Sequence, residues 1–319
     1  MDSTQPARAS STSATACSTV SEHTHTLQTE LAARLSDRAG GVHAALLQAS
    51  LLREAQSPDK ALAELRRLGA ELGDDRFYRL DGRLEVELAR AHLEFGWCET
   101  AREHLVQGIA LARRDGDRET LLSGRLIDAR ITTLLGKPER AMAIIEAARE
   151  DAGGLPRLAL REFEYAELEV SLAGGSQVAG ERLFDAARRL AVAVQGEGMR
   201  MLSVKAIALA ARAAIPLGLG DDAVQLAQTA LERSGEWCGV GVPRHQLLFL
   251  LARARYARRD GFRAKRTLGQ AKAQLHQVAR MVIDPTQRAA LLEEPNNRRI
   301  EDGDLVAPGP MSRRLRRTG

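Results

Sequence analysis

A small residue returns along this chain at nearly constant intervals. The segments "DKALAELRRL", "ETAREHLVQGI", "ERAMAIIEAAR", "VAGERLFDAAR", "DDAVQLAQTAL" and "FRAKRTLGQAK" align on Ala61, Ala101, Ala141, Gly180, Ala223 and Ala264, spaced 40, 40, 39, 43 and 41 residues apart. Four residues later stand Leu65, Leu105, Ile145, Phe184, Ala227 and Leu268, and seven residues later Leu68, Gly108, Ala148, Ala187, Ala230 and Ala271. Apart from Ala227 and Leu68, the pattern is small, large, small at i, i+4 and i+7, which places all three on one helix face and lets a second helix approach closely. Gly96, Gly136 and Gly218 precede the small residue by five positions, and Gly175 holds the same place in the fourth unit. Glycine there suits the left-handed turn that ends a helix. A unit repeated at this period cannot bury its apolar face alone, so neighbouring units must stack.

Composition agrees with a chain of helices. Ala, Leu, Arg and Glu dominate and aromatics are 3% of 319 residues. The straight-chain residues lose little freedom in a helix, and so few large rings argue against a bulky α/β core. The cysteines, Cys17, Cys98 and Cys238, are odd in number and far apart, so no disulfide framework is expected. No apolar run reaches the roughly 20 residues needed to span a bilayer, and no signal peptide is apparent. A cytoplasmic protein with no membrane contact is expected. Residues 1–26, rich in Ser and Thr, lack periodicity and are read as a disordered leader.

The pattern Gly-x4-Ala-x3-large-x2-small resembles the tetratricopeptide repeat family over about residues 42 to 280. The period is longer than the usual ~34 residues of that family. It is similar to the long helical repeats of maltose-activator-like regulators and related bacterial signalling proteins. The aromatic expected early in the first helix of each unit is mostly missing, and Gly180 replaces the small alanine. The later stretch "LHQVARMVIDPTQRAALLEEPNNRRI" resembles the closing segment of such arrays, with Asp284 as a helix cap and Pro285 in the first turn. The resemblance implies an all-α, right-handed α-solenoid of about six antiparallel helical hairpins. Its divisions are the leader 1–26, an array over 27–280, a cap over 281–300 and a flexible basic tail over 301–319.

The candidate binding residues lie on the first helices. Eleven residues before each aligned small residue stand Ser50, Arg90, Arg130, Glu169, Arg212 and Arg253, and each of the four arginines follows an alanine. In tetratricopeptide-like arrays this position faces the concave groove, which implies an arginine ladder interrupted by Glu169. One turn earlier come Val86, Leu126, Tyr165, Ala208 and Phe249, and Tyr256 follows Arg253. Arginine forks suit carboxylates, so an acidic peptide or protein is the expected partner. The competing reading pairs the arginines with acids on adjacent helices, where they only solubilise the array.

Other chemistry is weakly represented. "HLEFGWCETAREHL" gathers His92, Cys98 and His104, but one cysteine and two histidines around a turn have neither the number nor the spacing of a zinc site. Trp237-Cys238 falls at a different place in the repeat. "LLGKPER" lacks the first glycine and the hydroxyl of a phosphate loop. Neither metal nor cofactor is expected, and no catalytic residue emerges. Nine Lys or Arg against Asp260 alone, between Arg253 and Arg280, leave nucleic-acid binding as a less favoured alternative. The expected function is a non-enzymatic binding scaffold or regulatory adaptor. The other alternative is the sensor portion of a transcription-regulator or signalling-ATPase system.

Overall fold

The computed structural model describes residues 38–54, 57–73, 79–174, 177–236 and 242–306. The leader 1–26, Cys17, Gly175, the Trp237-Cys238 pair and the tail beyond 306 lie outside the described residues. Those described form fourteen α-helices and contain no strand. They run as six successive hairpins: α1 (Arg38–Glu54) with α2 (Pro58–Leu72), α3 (Leu80–Glu94) with α4 (Cys98–Arg114), and α5 (Arg118–Leu134) with α6 (Pro138–Ala152). Then follow α7 (Arg157–Ala173) with α8 (Gln177–Gly196), α9 (Arg200–Ala214) with α10 (Gly220–Glu236), and α11 (Arg244–Ala257) with α12 (Gly261–Met281). Two short helices, α13 (Pro285–Glu293) and α14 (Pro295–Asp302), close the array.

Local sequence explains where these helices start and stop. Proline opens α2, α6, α13 and α14, where its missing N–H has no helical partner to lose. The carboxylates of Asp117, Asp260 and Asp284 accept from the backbone N–H of Thr120, Arg263 and Gln287, capping α5, α12 and α13. Gly96, Gly136 and Gly218 take φ of 71°, 74° and 74° between the helices of their hairpins. In the sixth hairpin Arg259 occupies the equivalent place at φ 67°, a conformation that costs a side-chain-bearing residue energy.

The aligned small residues are the seams between paired helices. Ala61, Ala101, Ala141, Ala223 and Ala264 are each at most 1% exposed. At Gly180 a Cβ would come within 2.9 Å of the tip of the Leu217 side chain, which would have to shift. Gly108 is glycine for a similar reason, since a Cβ would stand 3.1 Å from Glu85 Cβ and from the Gly82 carbonyl. Leu65, Leu105 and Ile145 fill the space between the small positions and are buried.

First helices touch not only their partners but each other: α1 meets α3, α3 meets α5, α5 meets α7, α7 meets α9 and α9 meets α11. The second helices make no contacts of comparable extent with one another. The array therefore curves toward its first helices, which form the inner, concave layer.

Two features depart from the sequence expectation. The last helix passes the expected end of the cap at residue 300: Glu294 accepts from the backbone N–H of Asn296 and Asn297 and starts a helix that runs to Asp302. The cap also does more than cover the last hairpin. Val278 and Ala279 of α12, Val282 just after it and Leu291 of α13 share one apolar cluster with Val42 and Leu46 of α1 and with Leu88 and Phe95 at the end of α3. A Cβ on Gly96 would lie 3.3 Å from the Glu294 Cα, so the cap backbone comes directly against the turn of the second hairpin. The two ends of the curve meet.

Candidate functional site

Curvature and end-to-end closure turn the first-helix positions toward a common interior. Arg130 on α5 is open to solvent, yet acids from three other elements face it: Glu169 from α7, Glu94 from α3 and Glu294 from the cap. Burial among protein atoms opposes its charge, but Glu169 and Glu94 outweigh that and hold the guanidinium above its ordinary value, with Tyr165 and Glu294 adding to them. Water reaches a group that protein surrounds on most sides. That is the geometry of a wet concavity.

Glu169 is the hub of this interior. Arg212 Nη1 donates to its Oε1 at 3.1 Å, and the Tyr165 hydroxyl donates to the same oxygen at 3.4 Å. Burial favours the neutral acid, but Arg130 and Arg212 hold the carboxyl below its usual range, so it is ionised at neutral pH. Burial beside that carboxylate pushes the Tyr165 phenol up, which keeps its proton in place. The glutamate that breaks the arginine series is thus the counter-charge of its two neighbours.

The remaining sequence-predicted residues divide. Arg90 on α3 donates to the Ser123 hydroxyl of α5 at 2.6 Å and lies 3.9 Å from Glu87, so it links adjacent first helices. Arg253 on α11 stands over the Phe249 ring at 6.0 Å, and Arg299 of α14 approaches the same ring at 5.9 Å. Phe249 is only 7% exposed and belongs to the cluster of Leu275 and Ile300, so the cap takes the face that the sequence offered to a ligand. Tyr256 is 47% exposed, three residues beyond Arg253. Arg212 thus pairs with an acid on an adjacent first helix, whereas Arg90 reaches a hydroxyl there and an acid of its own helix.

Several interior residues were not singled out in the sequence. Glu94 follows Arg90 by one helical turn and lies 3.9 Å from Arg53 of α1, an i, i+4 relation that inspection of the first-helix face reveals. Glu294 and Arg299 come from the cap, outside the repeat register, and no spacing rule points to them. Burial raises the Glu294 carboxyl, against the pull of the Asn297 N–H and Arg130.

The His–Cys stretch is accounted for structurally. Trp97 and Cys98 open α4, as the turn position requires. His92 stacks on His104 at 5.1 Å and tilts against Trp97 at 5.5 Å, while His104 Nδ1 lies 2.7 Å from Glu85 Oε2. Burial, with His104 and Arg66 adding positive charge, pulls His92 down to about 4. Burial and then Glu99 push the Cys98 thiol up, which disfavours the thiolate that a nucleophile requires. No group of three or more His, Cys, Asp or Glu that could hold a metal occurs among the described residues. Among them, too, no helix is long and apolar enough to cross a membrane.

No protein-family model matches the chain. No curated protein matches it either. A solved structure does: a Rap protein complexed with competence and sporulation factor, with a TM-score of 0.56 over 82% of this chain and 73% of that one, at 11% identity. The fold is an all-α solenoid of helical hairpins. At that identity the likeness extends to architecture alone.

Proposed function

We propose that this protein is a regulatory scaffold that holds a peptide or an extended segment of a partner protein within its concave face. The observation that carries this reading is the Arg130–Glu169–Arg212 group with Tyr165: charged, water-accessible and supplied by three successive first helices. Such a surface offers guanidinium forks to carboxylates and a carboxylate and a phenol to donors, which suits a polar backbone or acidic side chains. The solved structure that this fold resembles is itself a complex with a bound factor. A long-period regulator-type repeat and a signalling role belong to the same reading, as does the absence of catalysis.

Nucleic-acid binding through the basic C-terminal surface is less well supported. Arg258 is 3.3 Å from Asp221 and 3.4 Å from Asp260, Arg263 is 3.7 Å from Asp260, and Arg255 donates to the Thr267 hydroxyl. Part of that charge is thus neutralised or tied down inside the fold.

The test is a pull-down read by mass spectrometry, comparing wild type with the double variant Arg130→Glu plus Arg212→Glu. Recovery of specific partners should fall about tenfold or more, since reversing two charges leaves a bound carboxylate facing like charge. Circular dichroism should show unchanged helix content. Equal recovery of the same partners by a folded double variant rejects the groove as the binding surface.

A further inference from the structure

The structure assigns an oxyanion subsite to the C-terminal end of the concave face, formed by Arg253 of α11 and Arg299 of α14 with Arg212 of α9 alongside. It deepens the groove-binding reading by naming the chemical group received at this end, and it rests on that reading for its place in a larger ligand.

Three observations converge. Arg253 and Arg299 both lie against the ring of Phe249, which brings two guanidiniums to one apolar platform. Arg253 Nε and Arg299 Nη2 are buried and have no hydrogen-bond partner. The acids nearby neutralise the cluster only in part: Asp304 pairs with Arg299 Nε at 3.2 Å, and Glu169, 3.1 Å from Arg212, also faces Arg130, which leaves one positive charge over. Buried donors left unpaired beside like charges are costly, and a two-oxygen anion relieves both penalties at once. Consistent with this, burial, Arg299 and Arg212 pull Arg253 down to about 10, still cationic at neutral pH.

The site is held firmly on the cap side. Asn297 Nδ2 donates to the Leu291 carbonyl at 2.8 Å, which fixes its amide, and its Oδ1 lies 3.0 Å from His245 Nε2 on α11. That bond ties α14 to α11 four residues from Phe249 and keeps Arg299 across from Arg253. The subsite therefore exists only while the cap is docked. The group received is a carboxylate or a phosphate, which share the bidentate geometry that a guanidinium matches.

Thermal unfolding of the full chain in sodium phosphate, sodium acetate and sodium chloride at matched ionic strength tests this. At about 50 mM, the favoured anion should raise the wild-type Tm by about 3–5 °C over chloride. The larger of the phosphate and acetate shifts identifies the group. Arg253→Gln and Arg299→Gln should each abolish the shift. A wild-type protein no more stable in either anion than in chloride overturns the subsite, as does a full shift retained by both variants. Should the variants fold poorly, the Arg253 Nε–H resonance of the wild-type protein decides: saturable movement on titration with phosphate or acetate supports the site, and an unmoved resonance rejects it. Because the probes are inorganic phosphate and acetate, a protein silent to both that still recovers partners through Arg130 and Arg212 loses this subsite and keeps its groove.

Discussion

Ile145→Ala is expected to lower the unfolding free energy by about 2–5 kcal/mol, measured by urea denaturation. Ile145 is fully buried in α6, in a cluster with Leu122 and Ala129 of α5, Ala141 and Ala148 of its own helix, and Phe163 of α7. It is the large member of the small-large-small stripe in the third hairpin. Its helix neighbours along that stripe are already alanine, so they have no side chain with which to fill the space left behind. Each hairpin of a solenoid is stabilised chiefly by its immediate neighbours, so a cavity at the third one weakens both flanking interfaces. Val106→Ala is the control: Val106 is 72% exposed on α4, and its loss should change stability by no more than about 0.5 kcal/mol. An Ile145→Ala protein as stable as that control contradicts the repeat register.

Acidification should destabilise the fold between about pH 6.5 and 4. His92 and His245 are both 3% exposed. Burial holds each of them down to about 4 in the native state, against an ordinary value of 6.5. Between those values the unfolded chain binds protons that the native protein refuses, so unfolding is favoured as pH falls. Each histidine contributes a slope of roughly 1.4 kcal/mol per pH unit at most. Glu294, whose carboxyl is raised, gains a proton more readily when folded and offsets part of that loss. For His245 the cause is specific. Burial outweighs the Asn297 hydrogen bond, which favours the charged ring: the Asn297 amide, fixed by Leu291, presents its oxygen to Nε2, and Nδ1 is left buried without a partner. His245→Gln should flatten the dependence of Tm on pH across this window. A wild-type Tm unchanged from pH 7 to 5 contradicts the assignment of both histidines as buried and neutral.

The hairpins were legible in the sequence because their constraints are local. Ala101 and Ala141 recur where paired helices touch, Gly96 and Gly136 where the chain must turn left-handed, and Asp284-Pro285 where a helix begins. Each of these is fixed by neighbours a few residues away. Closure was not legible, because it depends on the summed rotation of six hairpins, and no spacing encodes where Glu294 lands relative to Gly96. For the same reason the cap's share of the interior was hidden. Glu294 is an uncommon N-cap, although the same acid-proline pair opens α13 at Asp284. The first-helix series gave Arg130, Glu169 and Arg212 their positions but not their relation. A glutamate that interrupts a row of arginines is, once the helices stack, the group that pairs with its neighbours.

The central claim is that ligands enter the concave face lined by the first helices. Site-specific photo-crosslinking tests it most directly, with a benzophenone amino acid placed at Tyr165 in the interior or at Val106 on the exposed side of α4. Covalent capture of the same defined partner is expected from Tyr165 and none from Val106, with the Tyr165 product lost in the Arg130→Glu plus Arg212→Glu background. Capture from Val106 with none from Tyr165 would place the binding surface on the outer helices and contradict it.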